Sequence, residues 1–423
     1  MHYYKYKFII NNLKKMNKKT IFLICLIIYL ILIFGIEFAY RQKLYELSVE
    51  YIEKLSQEGF VHHFFWFFSV VYIIAIIAIG MLVVLLCYPL NIFFCHLSIL
   101  LFSIFMMCIF KSLYANSRPY WDIFLKWKYE QRTLPKPTEC DGEFGNPSGH
   151  AMLNMYSLYV WHLFISSRFV NKIENNMKRN LIKYLTLVLT LFFMVCVVYS
   201  RIQRQVHSFN QIIHGSLIGI GMFFLFCYIF DYLSYDLKNF IDLLYRYKFI
   251  MIPIWIILYA LSIIFGLTIH NSKEKEFAEL LAEICKFKEG NMFGKNTALT
   301  SSLIFIHIGA YLGLIYMKWK INKSDKKEIL EDVMNYWNKG KILHIIAIVL
   351  FSFVMPSVLL LPYVFIHDYV LKFILFLIGN LLFGFLSFGP LFCFISEKLK
   401  RPEIEEKQSL ISSEPSGNII SGV

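Results

Sequence analysis

Apolar residues in this chain come in blocks about as long as a bilayer's hydrocarbon core is thick, and that pattern excludes most folds. A helix needs roughly 20 apolar residues to cross a membrane. Segments near 20–39, 63–88, 91–110, 149–168, 182–200, 210–231, 249–269, 297–317, 343–362 and 370–395 have that length. No water reaches backbone N–H and C=O groups at that depth, so the spans must be helices or a closed barrel, and blocks this long suit helices. The expected fold is an all-α polytopic transmembrane helix bundle of about ten spans. Composition agrees, since 17% of residues are charged where a soluble domain carries about a quarter. The first block follows a basic stretch, as a signal peptide does. Its apolar core is too long and no small-x-small cleavage site follows, so it reads as a retained anchor. Pro89 marks a tight turn, while Pro253, Pro356 and Pro390 fall inside spans, where neighbouring helices can satisfy the freed carbonyls.

The net charge of +13 points to membrane topology rather than to nucleic acid. With a cytosolic N-terminus, the segments 1–19, 169–181 with its flanks, 232–248, 318–342 and the tail would hold about 25 of the 42 Lys and Arg, as the positive-inside rule requires. The chain then divides into a basic N-terminus (1–19), a transmembrane core (20–232), further transmembrane helices (233–396) and a polar, disordered tail (397–423). Loops 111–147 and 201–209, and the start of the helix at 149, would share the non-cytosolic side. Cys140 and Cys285 lie in loops on that side and could form a disulfide. Residues 271–289 could form an amphipathic helix on the membrane surface.

Three polar clusters could therefore meet. Asn146-Pro147-Ser148-Gly149-His150 enters an apolar helix, with Pro147 suited to the first helical position and Asn146 to capping. A helix start of this kind binds anions, phosphate above all. Lys111 and Arg118-Pro119 form the second cluster. Ser200-Arg201 and His207 to Gln211 form the third. Singly, such cations snorkel toward headgroups. Together, three cations, a Ser-Gly helix start and two histidines make up what phosphoryl transfer needs: charge for the equatorial oxygens, a nucleophile and a proton donor. A metal site on His150, His207 and His214 is conceivable, but no acidic ligand accompanies it at helical spacing. His96, His162, His307 and His344 read as interhelical hydrogen-bonding groups, and His214 as a residue lining the site.

Lys111-x6-Arg118-Pro119, Pro147-Ser148-Gly149-His150 and Ser200-Arg201-x5-His207 resemble the three-part signature of the type-2 phosphatidic acid phosphatases, over roughly 91–232. That superfamily includes glucose-6-phosphatases and vanadium haloperoxidases. The resemblance implies a six-helix core, with four further helices after it. It also implies a metal-independent phosphate monoesterase without cofactor. His207 would be the nucleophile and would form a phosphohistidine. His150 would be the acid and then the base. Lys111, Arg118, Arg201, Ser148 and the Gly149 amide would hold the phosphate. Its partners would be membrane lipids and a phosphorylated lipid or sugar phosphate, and its setting an endomembrane such as the endoplasmic reticulum, with a lumenal site. One position departs from the signature: Gln211 stands where Asp is usual, as in glucose-6-phosphatases, which Arg118-Pro119-Tyr120-Trp121 also resembles. Gln211 could orient His207 without adding negative charge. The alternative is a weak or inactive relative that binds or transports phospholipid.

Overall fold

The computed structural model describes residues 18–55, 59–69, 90–134, 139–233, 237–286, 293–323, 369–391 and 393. Among these the chain is helical and contains no strand. Among the described residues seven helices are long and apolar enough to cross a membrane: 20–53, 92–129 (interrupted by a turn), 176–203, 209–229, 248–268, 296–320 and 370–388. The helix expected at 149–168 is also present. The expected span at 343–362, most of that at 63–88 and the tail lie outside the described residues. The residues group into two compact units. One takes its members from Met1–Val84, Asn91–Tyr235 and Ile254–Ile304, and the other from Leu85–Leu90, Asp236–Pro253 and Phe305–Val423.

The first unit holds α1 (Lys18–Glu53), α2 (Phe60–Phe67), α3 (Leu90–Tyr114), α4 (Pro119–Tyr129), α5 (Gly149–Arg168), α6 (Asn176–Gln203) and α7 (Phe209–Leu233). At 1.5 Å per residue the 36 residues of α1 extend about 54 Å, well beyond the hydrocarbon core. Its last turns carry Tyr45, Ser48 and Ile52 to α4 and to the start of α7. Tyr45 Oη bonds Ser117 Oγ at 2.8 Å, and Phe209 N donates to Ser48 Oγ at 2.8 Å. In α6, Asn175 caps the start through Lys178 N at 3.0 Å. Thr190, Met194, Val197 and Arg201 form its buried stripe, while Leu185, Val188, Phe192 and Val195 are exposed. An apolar outer face suits lipid as the solvent.

Helices α5 and α7 approach so closely that two glycines, four apart, are required. A Cβ at Gly215 would lie 2.4 Å from Ser148 O, and one at Gly219 would lie 2.3 Å from Met152 O. This is the small-xxx-small packing of membrane helices. It sets the start of α5 directly against the first turns of α7.

The segment expected to lie on the membrane surface forms α10 (Glu274–Cys285), but its apolar face has another partner. Phe277, Leu280 and Leu281 are buried in one cluster with Tyr120, Trp121, Phe124, Phe144 and Phe293. The aromatic face of α4 covers the surface that lipid would otherwise take. Cys285, at the end of α10, is disulfide-bonded to Cys140, with Cα atoms 5.8 Å apart.

In the second unit, α12 (Ile304–Lys323) and α13 (Tyr369–Phe388) meet through another close approach, where a Cβ on Gly309 would lie 2.1 Å from Leu381 O. Helix α8 (Leu237–Arg246) is held to α12 by Lys318–Asp242 at 2.6 Å and by Tyr311 Oη donating to Leu244 O at 2.5 Å. Helix α9 (Lys248–Thr268) takes residues from both units, and α11 (Gly294–Ser301) belongs to the first.

Gly219→Ala should destabilise the protein by about 1–3 kcal/mol, since the added methyl meets backbone that can yield only by separating two helices. Gly35→Ala, with nothing within 4 Å of its Cβ, should be neutral or slightly stabilising on helix propensity. Thermal unfolding of both variants in the same detergent checks the pair.

Candidate active site

Three chain reversals deliver the polar clusters to one place. Helix α3 ends after Lys111, and Ala115 takes a left-handed turn at φ 42°. Arg118 then sits in extended conformation as the cap before Pro119 starts α4. That leaves its side chain outside the helix. After α6, Gln205 turns the chain at φ 63°, and its carbonyl accepts from Tyr120 N at 3.2 Å. This turn ties the start of α4 to the segment carrying His207. Ser148 caps α5, and its own N–H donates to Gln211 O at 3.0 Å.

His207 is 2% exposed and its tautomer follows from its neighbours. The Gln211 amide is fixed by two backbone groups that each allow one role. Its Nε2 donates to Ser117 O at 2.8 Å, and its Oε1 accepts from Ser208 N at 3.3 Å. Oε1 also lies 3.2 Å from His207 Nδ1, so Nδ1 must carry the proton. The lone pair is then on Nε2, which faces Arg118 Nη1 at 3.3 Å. Burial lowers the His207 pKa well below the usual imidazole range, and the charges of Arg118, Arg201 and Lys111 lower it further, with a contribution from His150. The ring is neutral at physiological pH.

The cations are as buried as the histidine, with Lys111 5%, Arg118 0% and Arg201 1% exposed, and each is matched by an acid. Lys111 Nζ lies 2.5 Å from Glu143 Oε2. Arg118 Nη2 lies 2.6 Å from Asp141 Oδ2. Arg201 Nη2 and Arg204 Nε each lie 3.0 Å from the Glu139 carboxylate. Arg201 also donates to Ser69 Oγ. Its Nε is buried without a hydrogen-bond partner among the described residues. Burial would raise the Glu139 pKa, but Arg201, Arg204 and Arg118 outweigh it and hold the carboxyl below its ordinary value. A neutral imidazole nitrogen beside a guanidinium, with further buried cations compensated by half-buried carboxylates, suits handling of a tetrahedral oxyanion.

Residues 92–235 match the family model of the PAP2 superfamily. This segment belongs to that superfamily. The match is to the superfamily as a whole and does not single out its glucose-6-phosphatase branch. No curated protein and no solved structure matches the chain.

Within the PAP2 segment several local expectations change. The helix begins at Gly149, not at Pro147, and Ser148 rather than Asn146 caps it, accepting from Ala151 N at 3.5 Å. Asn146 instead bonds Glu37 Oε1 at 2.9 Å and Asn116 Oδ1 at 3.1 Å through Nδ2, while its Oδ1 accepts from His214 Nδ1 at 3.0 Å. His214 therefore supports the turn behind the site, where it packs on Phe34 and Tyr114. Gly149 gives its space to the Met107 side chain, whose Sδ would lie 2.1 Å from a Cβ there. His96 has the interhelical role expected of it, with Nδ1 2.8 Å from Tyr156 Oη.

Sequence reasoning missed the acids. Glu139, Asp141 and Glu143 alternate at a spacing of two, which would have signalled three side chains on one side of an extended stretch. The Ser117 carbonyl that orients Gln211 leaves no such trace.

Gln211→Glu should impair the PAP2 segment despite its near-identical shape. One carboxylate oxygen would face the Ser117 carbonyl instead of donating to it, a loss of about 1–3 kcal/mol. Thermal stability and phosphate release should both fall, and unchanged values would contradict this geometry. In ring-proton NMR of labelled protein, His207 should remain neutral and not titrate between about pH 5.5 and 8, where an ordinary histidine would.

Proposed function

We propose that the protein is an integral-membrane phosphomonoesterase that forms a phosphohistidine on His207. The observation that carries this reading is the placement of His207, whose Nδ1 lies 3.2 Å from the Gln211 amide oxygen and whose Nε2 faces buried Arg118 at 3.3 Å. In the proposed reaction a phosphate monoester enters with its oxygens on Lys111, Arg118 and Arg201, assisted by Ser148 and the Gly149 amide. Nε2 attacks phosphorus in line as the ester P–O bond breaks, and His150, made an imidazolium by a proton taken up as the phosphate dianion offsets the surrounding cations, gives that proton to the departing oxygen. Water then attacks the phosphohistidine while His150 takes a proton from it, and orthophosphate leaves with His207 restored. Gln211 keeps the Nδ1–H tautomer throughout. No metal or cofactor has a step in this scheme.

The substrate class we propose is a lipid phosphate or a sugar phosphate such as glucose 6-phosphate. Gln211 and Arg118-Pro119-Tyr120-Trp121 favour the latter, since both resemble the glucose-6-phosphatase pattern. The Cys140–Cys285 bond supports a lumenal site in an endomembrane, because disulfides persist in oxidising compartments.

His207→Ala should lower phosphate release from purified protein roughly a thousandfold or more, as loss of other covalent nucleophiles does, while leaving the unfolding temperature close to wild type. Orthovanadate should inhibit and a chelator should not. Near-normal turnover in the variant would remove His207 from the reaction, and loss of activity with the chelator would demand a metal. A panel of phosphatidate, lysophosphatidate, sphingoid-base phosphate and glucose 6-phosphate identifies the substrate class.

A further inference from the structure

We propose that Glu139, Asp141 and Glu143 act as an intramolecular competitor for the phosphoryl group, weakening the site's hold on phosphate and so favouring product release. This rests on the reading of Lys111, Arg118 and Arg201 as phosphate ligands.

Each of those three cations already carries an anion in the structure. Glu143 is on Lys111 at 2.5 Å, Asp141 on Arg118 at 2.6 Å and Glu139 on Arg201 at 3.0 Å. With Arg204 on Glu139 as well, four cations face three carboxylates, leaving one net positive charge where the free cations would present four. A phosphoryl group would have to share or displace these carboxylate oxygens on the same cations.

The intervening residues show why the competitor stays close. Cys140, between Glu139 and Asp141, is covalently joined to Cys285. The Gly142 carbonyl, between Asp141 and Glu143, accepts from Phe293 N at 2.5 Å. The backbone of the strap is thus pinned from behind by residues outside the PAP2 segment, while its acids point at the cations. Freeing the charged ends requires the acid side chains to rotate while Glu143 O keeps its bond from Arg118 Nε at 2.7 Å, and a tethered carboxylate returns at high effective concentration. A ligand that binds only the carboxylate-free state has its apparent affinity reduced by that state's population. Arg201 Nε, buried and without a hydrogen-bond partner among the described residues, is a donor that the strap does not reach and an incoming oxygen could.

The opposite possibility is that the acids merely hold the cations in place, and the two differ in sign. Orthovanadate binding to the full-length protein in detergent should be measured for wild type, Glu139→Gln, Asp141→Asn and Glu143→Gln. Retention of the Cys140–Cys285 bond and the size-exclusion profile confirm folding. Competition predicts dissociation constants for vanadate and inorganic phosphate that fall roughly tenfold per neutralised acid. Unchanged or weaker binding in the folded variants overturns the competitor while leaving the phosphate site intact. Failure of all three to fold makes the acids structural counterions and also overturns it. No vanadate binding even by wild type removes the phosphate site itself, and the competitor with it.

Discussion

The amide of Gln211 decides what the site can do, because it converts two backbone positions into the protonation state of an imidazole. Its nitrogen is committed to the Ser117 carbonyl and its oxygen to the Ser208 N–H. The assignment of one end fixes the other, and His207 Nδ1 is left with only an acceptor to face. A carboxylate would orient the ring through charge. The amide does so through geometry alone, and the cost of that choice falls on the surroundings. Ser117 must be held, as it is by Asp122 Oδ2 at 2.6 Å and by Tyr45. Gly145 must also lack a side chain, because a Cβ there would lie 2.6 Å from Gln211 Nε2. The neutral amide thus depends on a more tightly specified shell than an Asp would.

That shell exists because helices α5 and α7 are pressed together at Gly215 and Gly219. The Ser148 N–H reaches the Gln211 carbonyl only at this separation. The residue capping one helix and the residue orienting the histidine are therefore hydrogen-bonded through their main chains. A buried acid, Glu37, completes the arrangement from α1. It pairs with Arg41 at 2.5 Å and accepts from Asn146 at 2.9 Å, so a charge inside a long apolar helix has its oxygens satisfied. Packing and polar satisfaction are here one constraint.

What could be read from residue order alone follows from the physics that acts locally. Spans were visible because a bilayer demands a fixed apolar length. Motif spacing singled out Arg118 and His207, which the structure brings to 3.3 Å of one another. Cys140 and Cys285 could be matched by topology. Local signals failed where a partner lies far along the chain. Segment 271–289 was correctly seen as an amphipathic helix, but nothing in it says that Trp121 rather than lipid covers Phe277. Asn146 has the chemistry of a helix cap, yet Glu37, more than a hundred residues away, takes its amide instead. The glycine pair in α7 has the required spacing, but its meaning depends on which backbone approaches it.

The acids opposite the cations raise a question of charge that any reading of the site must answer. Lys111, Arg118, Arg201 and Arg204 are too deeply buried to rely on water, and a cluster of unpaired buried charges costs several kcal/mol per ion. Counterions supplied by the chain resolve this, and placing them on a short strap pinned at Cys140 and Gly142 lets them serve without filling the site with a rigid element. Thr300, donating to the second oxygen of Glu143 at 2.6 Å, links Lys111 to a helix beyond the PAP2 segment. On the proposed reading of these cations as phosphate ligands, the carboxylates of Glu139, Asp141 and Glu143 hold nitrogens that an oxyanion would also need, so compensation of the buried charge and affinity for the oxyanion would draw on the same contacts.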